Sequence, residues 1–188
     1  MNFNRPIILA SNSPRRRQIL ADAGFTFTVV AKNISEDYPL DLPPETVPIY
    51  LARKKAAAFE AQVKDEIVIA ADTVVILEGN ILEKPVDVVD AFQMLTRLSG
   101  KKHKVVTGIC LFSKDKEVFF SELTEVTFAP LSTEEIEFYI HTYKPFDKAG
   151  SYGIQEWLGM IGVSSIAGSF YNVMGLPIHQ VYTALHDF

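Results

Sequence analysis

Three arginines stand where a helix is expected to begin. The stretch "ILASNSPRRRQIL" (8–20) reads as a short apolar strand, a small polar turn and the opening of a helix. Ser13 suits the N-cap and Pro14 the first helical position. A helix N-terminus carries partial positive charge, so Arg15, Arg16 and Arg17 repel both the dipole and one another. The same strand–turn–helix geometry presents backbone N–H groups that bind anions. A phosphate-bearing ligand would turn the repulsion into attraction; the alternative is a solvated basic face. Successive helical residues lie about 100° apart, so the three cannot all face one ligand.

Asp72 in "EIVIAADTV" follows a run of apolar residues, Ile67 to Ala71. A carboxylate emerging at the end of a buried strand is costly unless it is paired, hydrogen-bonded or metal-bound. Strand ends are also where open α/β sheets place ligands. Lys55 in "YLARKKAAAF" falls on the apolar stripe of Val47, Leu51, Ala58 and Ala61, as a snorkelling stem or as a phosphate contact at the edge of a cleft. Lys84 in "LEKP" returns from a turn at Gly79-Asn80 toward Asp72. In "DKAGSYGIQ", Gly150 and Gly153 permit close backbone approach or positive φ, and Lys148, Ser151 and Gln155 are polar groups suited to orienting a ligand. The P-loop pattern, the dinucleotide glycine pattern after a strand and the G-x-S-x-G elbow are all missing. His103, His141, His179 and His186 show no metal-ligand spacing and take ordinary structural roles.

The elements that would carry these residues alternate early. "PIILA" and "FTFTVVA" read as strands around the first helix, which stops at Gly24, and 32–44 as loop. A long helix is expected from about Glu45 to Lys64, then a strand that emerges at Asp72, continues extended and turns back after Gly79-Asn80. Asp87 caps a helix to about Leu98, and two long antiparallel strands follow around Lys114-Asp115. "LSTEEIEFYIHT" is a helix with a Ser132–Glu135 capping box, 161–166 a strand, "AGSFYNVMGLP" a loop and the remainder a helix. The fold class is α/β, a mixed sheet flanked by helices, in one domain over 1–188.

Composition narrows the partners. Hydrophobic residues at 48% and charged residues at 22% describe a globular chain with a real core. A net charge of -5 argues against a nucleic-acid surface, no apolar run is long enough for a membrane span, and no secretory signal opens the chain. With Cys110 as the only cysteine, these features fit a cytoplasmic protein.

In order and spacing, "LASNSPRR", "ARKKA", "AADTVV", "KP", "LSGKKHKVVTG", "DKAGSYGIQ" and "GSFYNVMGLP" resemble the Maf family of nucleoside triphosphate pyrophosphatases over nearly the whole chain. The resemblance implies hydrolysis of a nucleoside triphosphate to monophosphate and pyrophosphate with a divalent cation, Mg²⁺ or Mn²⁺. The variant segments look like the branch acting on dTTP and UTP. The resemblance assigns Asp72 as proton acceptor, and Arg15, Thr73 and Gln155 to base or substrate selectivity. Ser11, Ser13, Arg16, Glu36, Lys55 and Lys84 would line the phosphate and metal region, with Glu36 and Asp72 as metal ligands. The implied fold is an elongated mixed sheet with a central cleft, similar to inosine triphosphate pyrophosphatases, often as a homodimer. The competing expectation is a non-catalytic nucleotide- or protein-binding regulator of cell division.

Overall fold

A computed structural model describes residues 5–188. The strands are β1 (Ile7–Leu9), β2 (Phe27–Val29), β3 (Ile67–Leu77), β4 (Asn80–Leu82), β5 (Lys102–Phe112), β6 (Glu117–Phe128) and β7 (Val163–Ala167). They form a sheet in the order β2-β1-β3-β5-β6-β7, with β4 also on β3. β1 runs parallel to β2 and β3, with Leu9 opposite both Val29 and Ile69, whereas β4 and β7 pair antiparallel with β3 and β6. The mixed α/β sheet expected from the sequence is therefore present.

The chain divides into two compact units. One runs to Thr73 and takes in Thr107–Glu122 and Gly175–Phe188; the other comprises Val74–Val106 and Leu123–Met174. In the first, Ala52, Ala56, Phe59, Val68, Ala70 and Cys110 form a buried apolar cluster. In the second, Val75, Leu95, Leu98, Phe128, Tyr139 and Leu158 belong to a larger one.

Helix α1 (Pro14–Asp22) begins as its sequence demands: Ser13 Oγ accepts the Arg16 N–H at 3.4 Å, with Pro14 in the first turn and Gly24 at φ +80° beyond the last. Helix α2 (Val47–Ala57) follows a 3₁₀ turn at Pro44–Thr46 and is shorter than the 45–64 expected. The chain leaves it through tight turns, Phe59 N–H to Ala56 O at 2.9 Å and Gln62 N–H to Phe59 O at 2.8 Å, which put Phe59 and Val63 into the core. Helix α3 (Val88–Leu98) is capped by Asp87, and α4 (Thr133–Tyr143) carries the Ser132–Glu135 capping box.

Three further assignments change. β3 does not end at Asp72 but continues through it to Leu77. The strand expected at 161–166 starts only at Val163, because Trp157–Gly162 forms helix α5. The loop expected at 167–177 contains helix α6 (Phe170–Met174), where buried Asn172 donates to Val105 O at 3.1 Å and Thr124 Oγ1 at 2.9 Å. Helix α7 (Ile178–His186) closes the chain.

Candidate active site

β1 is the first determinant of the site. Its ladder to β3 ends with Ala10 N–H bonded to Ile69 O at 2.9 Å, and the Ser11–Ser13 turn leads into α1. In the middle of β3, Asp72 is 8% exposed; it directly follows the apolar run Ile67 to Ala71 and is the one charged residue of that strand. Helix α2 places Lys55 beside it. Lys55 Nζ donates to Asp72 Oδ1 at 2.6 Å and to Glu36 Oε1 at 2.7 Å. The apolar stripe that suggested a snorkelling lysine thus delivers an ammonium group between two carboxylates. Glu36 is supplied by the irregular segment before α2 and keeps about half of its side chain exposed.

Arg16 does something the sequence did not disclose. Its guanidinium donates from Nε to Gly175 O at 2.8 Å, from Nη1 to Ala71 O at 3.0 Å and Ser11 Oγ at 3.3 Å, and from Nη2 to Thr73 Oγ1 at 2.9 Å. The rigid fork of N–H donors is therefore largely engaged by the protein itself. It ties the turn after β1, the centre of β3 and the segment before α7 to one cation. Thr73 Oγ1 also lies 2.9 Å from Thr107 Oγ1 on β5. Thr107 and the Gly175 carbonyl were missed as participants; their only sequence signal was membership of "KVVTG" and "NVMGLP". Arg15 is half-buried, near enough to repel Arg16, and Arg17 is exposed, as expected of a cation left to solvent.

The electrostatics follow from burial. Desolvation pushes the Asp72 carboxyl above the usual carboxylate range, against the pull of Lys55 and Arg16 and with a further push from Glu36. Burial lowers the Arg16 pKa from the ordinary arginine value, with Asp72 opposing. A buried carboxylate flanked by cations, with its basicity raised, is a group suited to accepting a proton.

No group of three or more His, Cys, Asp or Glu able to hold a metal occurs among the described residues. Glu36 and Asp72 nevertheless converge on one Lys55 nitrogen. Two carboxylates are hard oxygen donors of the kind that would suit a divalent cation such as Mg²⁺.

Two site candidates belong to the second unit. Lys84 is exposed just after β4. Gln155 is half-buried before α5, and its Oε1 is buried without a hydrogen-bond partner among the described residues. In the same loop Gly150 takes φ +68°, as its glycine permits, and Gly153 gives close approach instead: an added Cβ would lie 2.8 Å from Glu156 Cδ. Ser151 is fully buried, its hydroxyl donating to the sulfur of Met94 at 3.2 Å.

This chain belongs to the Maf family: the family model described as "Maf-like protein" matches residues 6–188. Among its curated relatives is a dTTP/UTP pyrophosphatase of Phocaeicola vulgatus, 54% identical over 95% of this chain and 94% of that protein. Proteins of the same name from Porphyromonas gingivalis and Cytophaga hutchinsonii are 51% and 48% identical, each over 97% of this chain and over 94% and 84% of their own lengths. The Ham1 protein of Staphylococcus aureus shares the fold, with a TM-score of 0.54 at 16% identity, covering 97% of this chain and 99% of its own.

Proposed function

We infer that this chain hydrolyses nucleoside triphosphates to the monophosphate and pyrophosphate, acting on dTTP and UTP. The observation that carries this reading is the convergence of Lys55 on Asp72 and Glu36, with Arg16 bonded to the residues on either side of Asp72. The substrate preference follows relatives of about half identity that bear that name.

Asp72 accepts the proton of the attacking water, a role that its burial and raised basicity suit. Lys55 and Arg15 offset phosphate charge, and Ser11, Ser13 and the first turn of α1 supply hydrogen-bond donors to the anion. Arg16 contributes less as a free ligand than as the tie that holds Ser11, Ala71 and Thr73 in place. Lys84 is a further phosphate partner. Gln155, whose carboxamide both donates and accepts, reads the pyrimidine edge, with Arg15 and Thr73 contributing to selectivity. Glu36 and Asp72 would hold the divalent cation, Mg²⁺ or Mn²⁺, which supplies charge neutralisation and acidifies water when bound.

The same reading places the enzyme in the cytoplasm as a homodimer without nucleic-acid or membrane partners. A net charge of -5 supports the lack of a nucleic-acid partner, and no described helix is long and apolar enough to cross a membrane.

The test is a panel of canonical and modified triphosphates with Mg²⁺ or Mn²⁺ and identification of the products. Pyrophosphate and monophosphate, formed fastest from dTTP and UTP, are expected. Diphosphate plus orthophosphate as primary products, or equal turnover of GTP and UTP, would overturn the assignment.

A further inference from the structure

A buried polar network holds the loop that carries Gln155. Lys148 is 7% exposed, and its Nζ lies 2.8 Å from Asp147 Oδ1 and 3.1 Å from Glu156 Oε1. The other Glu156 oxygen accepts the hydroxyl proton of Tyr139, a fully buried residue of α4. That hydroxyl oxygen in turn accepts the Gly153 N–H at 2.9 Å. The Glu156 N–H closes the turn by donating to Gly153 O at 3.0 Å. Gln155 thus sits inside a closed turn, both ends of which are tied to a single hydroxyl.

The packing is close. A Cβ built on Gly153 would stand 2.9 Å from Glu156 Oε2 and 3.1 Å from Gln155 Nε2, so a side chain there would displace these groups from their present positions. The Gln155 acceptor oxygen has no hydrogen bond of its own among the described residues. Its direction is therefore set by the turn that carries it. Burying a lysine–glutamate pair contributes little net stability compared with apolar residues of similar volume. What such a pair adds here is fixed geometry, and a recognition group needs supporting residues that lock it.

We propose that Tyr139, Glu156 and Lys148 are positioning residues that fix the Gln155 carboxamide and thereby set selectivity for the base. The proposal rests on the reading that Gln155 contacts the base. Tyr139→Phe removes one oxygen and keeps the ring; Glu156→Gln keeps the shape and removes the charge.

The experiment compares kcat/KM for UTP and GTP in the unmodified protein, Tyr139→Phe, Glu156→Gln, Gln155→Ala and the Gln155→Ala/Tyr139→Phe double variant, with thermal melting of each. Tyr139→Phe is expected to lower the UTP:GTP ratio by about fivefold or more, mainly through a raised KM for UTP. In the Gln155→Ala background the same change is expected to leave the ratio where Gln155→Ala has put it. If Gln155→Ala erodes the ratio but Tyr139→Phe and Glu156→Gln do not, the positioning role is wrong and the base contact stands. An equal loss with both nucleotides, following a lowered melting point, also overturns it, because that is the signature of a purely structural network. If Gln155→Ala leaves the ratio intact, the base contact itself is wrong and the proposal goes with it. Should Tyr139→Phe fail to fold, Glu156→Gln carries the same comparison.

Discussion

Asp72 and Arg16 show how one strand centre holds a buried carboxylate and a buried guanidinium in place. Asp72 is a buried carboxylate whose charge is opposed by desolvation and supported by Lys55 and Arg16. Asp72→Asn keeps the size and much of the hydrogen bonding while removing the basicity. Pyrophosphate release is expected to fall at least ~10²-fold, the scale of a positioned base. Circular dichroism and thermal melting are expected to show an intact fold, since Lys55 retains Glu36 and the cost of a buried charge is relieved. Arg16 predicts a different pattern. Its removal takes a charged donor from the carbonyls of Ala71 and Gly175 and from the Thr73 hydroxyl, which keeps its contact with Thr107. Arg16→Ala is therefore expected to cost roughly 1.5–3 kcal/mol of stability, measured by urea unfolding, together with a tenfold or greater loss of kcat/KM. Activity lost with no loss of stability would return Arg16 to the role of a simple phosphate ligand. Arg17→Ala, on the exposed side of α1, is expected to stay within about 0.5 kcal/mol and near-normal turnover.

At the scale of elements, the position of α2 decides where Lys55 ends up. A Cβ on Gly108 of β5 would stand 2.3 Å from Pro48 C and 2.3 Å from Ile49 N, backbone atoms at the start of that helix. Backbone cannot rotate aside as a side chain can. Gly108→Ala is expected to push α2 outward, cost about 1–3 kcal/mol by overpacking and weaken turnover through Lys55; thermal melting and steady-state kinetics check both. This close approach also marks the limit of what the sequence made legible. The first helix, its Ser13 cap, the Asp87 cap and the Ser132–Glu135 box were readable because capping is local chemistry. The mixed sheet was readable from apolar runs. The end of α2 was not, because no glycine stops it and the tertiary burial of Phe59 and Val63 ends it instead. Helices α5 and α6 were hidden by their brevity, five or six residues with too few turns to show a period. Asp72 and Lys55 were legible as charges on or near apolar elements, Glu36 only through the family resemblance, and the structure joins all three. The acceptors of Arg16 were not, since a backbone carbonyl carries no sequence signal.

For the molecule as a whole, acid is expected to act through His103. The imidazole is 2% exposed, edge-on to Phe128, and bonded at 2.7 Å to Tyr152 Oη. Burial pushes its pKa down to about 4. An unfolded histidine titrates near 6.5. Between those values the unfolded chain binds a proton that the folded chain refuses, so this residue's contribution falls as pH drops from about 6.5 to about 4, by up to about 3 kcal/mol. Above that window its contribution is full, and below it no further loss arises from this group. Urea unfolding at several pH values is expected to show this slope, and His103→Gln to flatten it. The tie made by Arg16 has a consequence of another kind, in time. Two of its acceptors, Ala71 O and Thr73 Oγ1, lie 55 and 57 residues along the chain, and the Gly175 carbonyl lies 159 residues along. A ribosome delivers the arginine early and its last acceptor late. While the chain is growing, the guanidinium near Asp72 is incompletely held, and closing so long a loop is a slow, non-local step. The nascent protein can therefore form its first sheet pairings and still lack a finished site, which matures only when the segment ahead of α7 docks.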